Sequence, residues 1–362
     1  MTLRAGPGGV VLQEHLRAYA QLENVLSPDE KSPQLIVVIG TNTKTYFMKK
    51  LAFGNFERDA VKGEVHLRVD HDGLKEGCPR IFADCELHSV PTITSDKTEN
   101  STGDIARRPL TWSKDSQILQ APVAHLVYSR LIAPFSTIIC FFADDFRGLA
   151  EIAGILAIWL LRFNDRSSDL PAAAYPRILI LSRDINPADF NEDEATKQFM
   201  QEFRTQVDAK HGILTESRGK MRKGDSERLL SLQFSGIRVI ATPGLDSVGG
   251  LWEKVKHRIL KESNEMQAKR QEHFVAFSSR HFKSFFYQAS DHFCSPIASP
   301  FRFLHASRIH NPIPTEFQSH MAAFLKSVKS DQILKFAVPV IASALVFDSY
   351  PAGMHSMLFY SP

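Results

Sequence analysis

The segment Gly40-Thr-Asn-Thr-Lys44-Thr45 follows the apolar run Leu35–Ile39 and gathers the groups that a phosphate-cradling turn requires. Small residues let successive backbone N–H groups wrap an oxyanion, a lysine ammonium neutralises it, and a hydroxyl reaches Mg²⁺. A complete loop of this kind reads Gly-x-x-x-x-Gly-Lys-Ser/Thr. Anchored on Gly40, the wrap is two residues short and Thr43 stands where the second glycine belongs. Anchored on Lys44, the first glycine is replaced by Val38, inside the apolar run. Either register removes a residue able to take φ > 0 freely. The candidate nucleotide-binding residues are therefore Gly40, Thr41, Asn42, Thr43, Lys44 and Thr45, and the damaged glycine pattern argues against hydrolysis most of all.

Other polar residues fall at strand ends. Asp84 closes the run Ile81-Phe-Ala-Asp84-Cys-Glu86, a place from which a carboxylate can hold Mg²⁺ through water, with Thr45 as the direct ligand. Glu86 is the one candidate for orienting an attacking water, and the competing reading is that these carboxylates cap a following turn. An Asp-x-x-Gly sensor is missing, because Leu87 stands in the glycine position. Asp144 and Asp145 follow Thr137–Phe142 at the carboxyl end of the sheet, where open α/β sheets bind ligands, and the preferred expectation is that they cap a helix beginning near Phe146. Ser182-Arg183-Asp184 occupies the place of a guanine-reading motif, with the wrong spacing and no lysine. His281, His292 and Cys294 lack the close spacing and fourth partner of a metal site. The string Gly244-Leu-Asp-Ser247-Val-Gly249 has one residue too many to be a nucleophile elbow.

The elements that position these residues alternate. Strand-like runs at Leu35–Ile39, Glu64–Val69, Arg80–Ala83, Thr137–Phe142, Ile178–Leu181 and Ile237–Ala241 scarcely alternate polar with apolar, as strands covered on both faces do. Helical patterns lie between them at Thr45–Phe53, Gln120–Ile132, Phe146–Phe163, Asp193–Asp208 and Leu245–Ser263. This alternation predicts an α/β fold, a three-layer P-loop-NTPase-like domain built on a mostly parallel sheet. An amphipathic helix is expected over Leu12–Leu26, and the polar stretches Pro91–Arg108 and His211–Arg228 read as surface loops. From about Gln267 phenylalanines recur at helical spacing, which predicts a smaller helical domain whose Phe stripe is core. The expected domains are 1–32, an N-terminal helix and linker; 33–262, the degenerate P-loop NTPase-like domain; and 263–362, the helical domain.

Composition sets the outer bounds. With 362 residues, 43% hydrophobic, the chain can bury a full core and one further small domain. A net charge of +3 gives no electrostatic reason to expect nucleic acid or a membrane surface as partner. Cys78, Cys85, Cys140 and Cys294 form no Cys-x-x-Cys pair and read as buried thiols of a reducing compartment. No stretch reaches the roughly 18 uninterrupted apolar residues of a spanning helix, since Phe336–Phe347 is short and contains Pro339. The expectation is an intracellular, cytoplasmic protein.

Several strings resemble a family of large fungal proteins in which a P-loop, GTPase-like module precedes a patatin-like phospholipase domain. They are Phe82-Ala-Asp-Cys-Glu86, Trp112, Tyr128-Ser-Arg-Leu131 with Pro134-Phe-Ser136, Trp159 and Pro176-Arg-Ile-Leu-Ile180. Pro300-Phe301, Ala306-Ser-Arg308, Asn311-Pro312, Ala342-Ser-Ala-Leu345, Asp348-Ser-Tyr-Pro351 and Gly353-Met-His355 continue the likeness, which spans Leu35 to His355. The resemblance implies the nucleotide-binding-like module with its helical extension, the hydrolase lying beyond Pro362, so no residue here takes the role of a lipase dyad. This chain departs from intact members at the Gly-Lys-Ser loop.

Three function classes follow: a regulatory or scaffold module with a degenerate P-loop NTPase fold, a functional module binding GTP or ATP with Mg²⁺, and a fragment of a lipid acyl hydrolase lacking its catalytic domain. The first is preferred, because Lys44 without a glycine nest offers a point charge rather than a cradle.

Overall fold

A computed structural model describes residues 1–6, 9–16, 31–50, 64–75, 79–87, 105–113, 120–161, 168–183, 190–214, 225–244, 249–295, 299–308 and 316–349. In chain order the elements that matter here are β1 (Thr2–Gly6), β2 (Gly9–His15), β3 (Gln34–Ile39), α1 (Asn42–Lys50), β4 (Val65–Val69), β5 (Arg80–Cys85) and β6 (Ile105–Pro109). They continue with α2 (Gln120–Leu126), β7 (Ser136–Phe142), α3 (Leu149–Leu161), β8 (Arg177–Arg183), α4 (Glu192–Leu214), β9 (Gly236–Thr242), α5 (Gly249–Glu272) and α6 (Ser279–Cys294).

The main sheet runs β4-β5-β3-β7-β8-β9, parallel throughout except for β4, which lies antiparallel to β5. Alternate residues of each strand serve opposite faces. Ile36, Val38, Ile138, Cys140, Phe142, Leu179 and Leu181 pack with Phe47 and Met48 of α1 and with Trp252, Val255 and Ile259 of α5. On the other face Phe141 meets Trp159 of α3 at 5.7 Å between ring centroids. The strands β3, β5 and β7 are buried at every residue because helices cover both sides, which is why their sequences read as continuous apolar runs. The result is a mixed α/β domain on a mostly parallel six-stranded sheet, consistent with a P-loop-like arrangement, with the candidate loop leaving the inner strand β3.

Three expectations need correction. Gly9–His15 is a strand, not the start of a helix at Leu12; β2 pairs antiparallel with β1 and with β6 in a separate three-stranded sheet, and residues 17 to 26 of the expected helix lie outside the described residues. The partner strand β6 overlaps the end of the stretch read as a polar surface loop, from Ile105 to Arg108. Its Arg108 turns inward to pair with buried Glu14, and it also meets Asp291 Oδ1 of α6 at 2.5 Å. The expected boundary at 262/263 falls inside α5, whose Arg270 is buried and donates to the carbonyls of Pro134, Phe135, Ser136 and Ala174. Burial pushes that guanidinium down to about 10, so it stays charged at neutral pH while clamping α5 to the residues around the start of β7.

The chain divides instead into compact units Met1–Phe301 and Arg302–Pro362. The second unit contains α7 (Phe303–Ser307), α8 (Phe317–Ser327) and α9 (Val338–Ser349). Its phenylalanines are not uniformly core: Phe336 is 52% exposed, with its ring 6.4 Å from that of Phe324. Among the described residues no helix is long and apolar enough to cross a membrane.

Candidate functional site

The helix α1 begins at Asn42, three residues earlier than the expected Thr45, so Thr43 and Lys44 lie in its first turn; the rest of the expected helix, beyond Lys50, lies outside the described residues. The first N–H groups of a helix have no intrahelical partner. Here they have an external one: Asp145, in the 3₁₀ turn Ala143–Asp145 that follows β7. Asp145 Oδ2 accepts from the Thr41 amide at 2.7 Å and the Lys44 amide at 3.0 Å, and Oδ1 accepts from the Thr43 amide at 2.7 Å. A carboxylate thus occupies the converging amides of the loop, with the helix dipole adding to the attraction.

Asp145 does not cap the helix after it, as its sequence position suggested. That helix, α3, starts at Leu149, while the Arg147 amide nearby donates to Glu151 Oε2 at 2.7 Å. The sheet brings the turn to the loop because β7 neighbours β3 and both end at the same edge. Gly40 makes the approach sterically open: a Cβ there would overlap Asp145 Oδ2 and press on Phe142 Cβ at 3.2 Å and Lys44 Cβ at 3.1 Å.

Lys44 points away from that carboxylate toward a second one. Its fully buried Nζ meets Asp84 Oδ1 at 2.7 Å and donates to the Cys85 carbonyl at 3.1 Å. The other oxygen of Asp84 is held by Arg68 of β4, from Nε and a terminal nitrogen, both at 3.1 Å. The antiparallel β4 therefore supplies a cation that the sequence reading overlooked. Thr45 Oγ1 donates to the Thr41 carbonyl at 2.6 Å, a back-bond within the helix. Gly40 donates its amide to the Cys85 carbonyl at 3.2 Å. Glu86 is partly exposed just past β5, and its carbonyl accepts from the Tyr128 hydroxyl at 3.3 Å. Burial pushes both the Tyr128 hydroxyl and the Cys85 thiol well above their ordinary values, so both stay protonated at neutral pH.

The remaining candidates are dispersed. Arg183, at the end of β8, approaches Asp144 at 3.9 Å; Asp184 and residues 245 to 248 lie outside the described residues. On α6, His281 bonds Ser278, His292 bonds the Ser299 carbonyl and Cys294 lies 3.9 Å from the Arg108 carbonyl. Among the described residues no three His, Cys, Asp or Glu side chains are grouped to hold a metal ion.

Asp145 stands at the carboxyl end of the sheet, where open α/β sheets place their ligands, as its position after Thr137–Phe142 indicated, but its role as acceptor for the loop amides was not foreseen. Proximity in space to Gly40 was not visible in the chain order.

No protein-family model and no curated protein matches the chain. Among solved structures, a chain from the structure of the mammalian SRP receptor is similar, at 14% identity over 63% of this chain and 99% of that one, with a TM-score of 0.31. That score is too low to carry an argument about function.

Proposed function

We propose that the chain is a regulatory or scaffold module on a degenerate P-loop NTPase-like fold, one that does not take up nucleotide in its resting form. The observation that carries this reading is the Asp145 carboxylate on the amides of Thr41, Thr43 and Lys44, where a phosphate would have to sit. A second carboxylate supports it, because Lys44 is already neutralised by Asp84. The Mg²⁺ ligand set fares no better: Asp84 is shared between two cations and the Thr45 hydroxyl is spent on a backbone carbonyl. A nucleotide triphosphate would bring further negative charge against Asp145 at hydrogen-bonding range, which is strongly unfavourable in a partly buried site. Membership of a patatin-associated fungal protein rests on the sequence resemblance.

Isothermal titration with Mg·GTP and Mg·ATP tests the reading. No heat at millimolar nucleotide is expected; saturable binding of either to the unaltered protein overturns it and favours the functional GTP/ATP module.

A further inference from the structure

We propose that the connection between α5 and α6, residues 273–278, docks the protein onto an anionic phospholipid surface, with the Phe274 ring as its apolar anchor. This connection lies away from the loop after β3: Arg270, in the last turn of α5, bonds carbonyls at the start of β7, whereas the loop leaves the far end of β3. What fills that loop does not affect this surface.

Phe274 stands out on two physical counts. Where α5 ends, the Phe274 amide donates to the Gln271 carbonyl at 3.1 Å and the Val275 amide to the Arg270 carbonyl at 2.8 Å. This pairing puts residue 274 in the left-handed region, where glycine is the usual occupant. Phe274 holds that conformation at φ 57°, alone among the described non-glycine residues. It is also 88% exposed, more than any other large apolar residue described. The connection is pinned on both sides, since Ser32 Oγ donates to the Ala276 carbonyl at 3.1 Å and the Ser279 amide to the Lys31 carbonyl at 3.0 Å. Backbone strain and an aromatic ring in water are thus fixed features of the fold, and a ring this exposed gains little from its own chain.

The surroundings decide what the ring meets. Four cations, Lys269, Arg270, Arg280 and Lys283, stand between residues 269 and 283 against one carboxylate, Glu272. Arg270 bonds backbone carbonyls, with no carboxylate among its described partners. Lys31 adds a fifth cation, its carbonyl meeting the Ser279 amide. A whole-chain charge of +3 conceals this local excess. Val275, Ala276 and Phe277 beside the ring are each partly exposed, and Phe277 packs edge-on to Phe285 at 4.8 Å between centroids. A second copy docking through the same surface would set these cations against one another. A folded partner would need a pocket shaped for one projecting ring. A bilayer interface yields to such a ring without prior shaping, and its anionic headgroups attract Lys and Arg.

The test is co-sedimentation of the full chain with vesicles of mixed phosphatidylserine and phosphatidylcholine, and with vesicles of phosphatidylcholine alone. Saturable binding to the first, weakened by added salt, is expected, with much less to the second. Phe274→Gly removes the ring and suits the backbone, so that variant should melt no lower than the unaltered protein yet bind the mixed vesicles about tenfold less. Phe274→Trp should retain binding, because an indole favours the same interface. Arg280→Gln with Lys283→Gln should weaken binding to the mixed vesicles and reduce its salt dependence. Failure of the unaltered protein to bind the mixed vesicles overturns the proposal, and so does equal binding to both kinds or binding that Phe274→Gly leaves unchanged. Self-association that Phe274→Gly abolishes would overturn it too, by assigning the ring to a contact between copies. The scaffold reading stands or falls separately, on the nucleotide titration.

Discussion

Gly40 and Asp145 fit together as a void and its filling: any side chain at position 40 would run into the carboxylate oxygen that accepts the Thr41 and Lys44 amides. The contact ties the end of β3 to the turn after β7 and explains the glycine without recourse to a positive φ.

Gly40→Ala should therefore destabilise the protein by about 1–3 kcal/mol, the usual cost of overpacking. In an Asp145→Ala background the closest overlap is gone and only the tight contacts with Lys44 Cβ and Phe142 Cβ remain, so the penalty should fall. Urea unfolding of the two single variants and the double variant measures the coupling; equal penalties in both backgrounds would show that Asp145 is not what Gly40 makes room for.

The Lys44–Asp84 pair is buried on both sides, so breaking it leaves a charge out of water. Lys44→Met is expected to cost about 3 kcal/mol, near the lower end for buried pairs because Arg68 still faces Asp84. Asp84→Asn combined with Lys44→Met should recover part of that loss. Strict additivity in the double-variant cycle would contradict the pairing.

Asp144 supplies a pH dependence. Burial raises its carboxyl above the ordinary value, with the neighbouring Asp145 adding to the rise and Arg183 opposing it. The folded pKa lies above the unfolded one, so the group's stabilising contribution is full below the ordinary carboxylate range. It is lost as pH rises through the raised folded value. Asp144→Asn removes that loss. Its melting temperature should exceed that of the unaltered protein at pH 7, and the difference should vanish on acidification; the opposite trend would refute the assignment.

The cysteines give a chemical readout. Cys85, Cys140 and Cys294 are buried, and burial raises all three thiols, Cys294 to about 12. Since the thiolate is the reactive form, a disulfide-exchange reagent at pH 8 should leave these three unmodified until denaturant is added. Rapid labelling of any of them in the folded protein, detected by mass spectrometry of peptides, would contradict their burial.

The sheet was legible because its physics is local in pattern. Strands covered on both faces must be apolar along their whole length, and Leu35–Ile39, Thr137–Phe142 and Ile178–Leu181 all declare themselves that way. The meeting of Lys44 with Asp84 follows from the sheet, in which the loop leaving β3 and a carboxylate near the end of β5 lie side by side. What stayed hidden depends on partners far along the chain. Val10–Leu12 fits a strand or a helix equally well until β1 on one side and β6, some hundred residues on, on the other supply its hydrogen bonds.

Asp145 is the clearest case. By its neighbours it is a helix cap; only the parallel pairing of β3 with β7 sets it against the first turn of α1, where three donors need an acceptor. The amino-acid sequence alone determined that a shortened loop would follow an inner strand, with too few glycines for a complete cradle. Tertiary structure decided that the loop's amides would be satisfied by the protein's own carboxylate, because such donors, partly withdrawn from water, take whichever anion the fold brings within hydrogen-bonding distance.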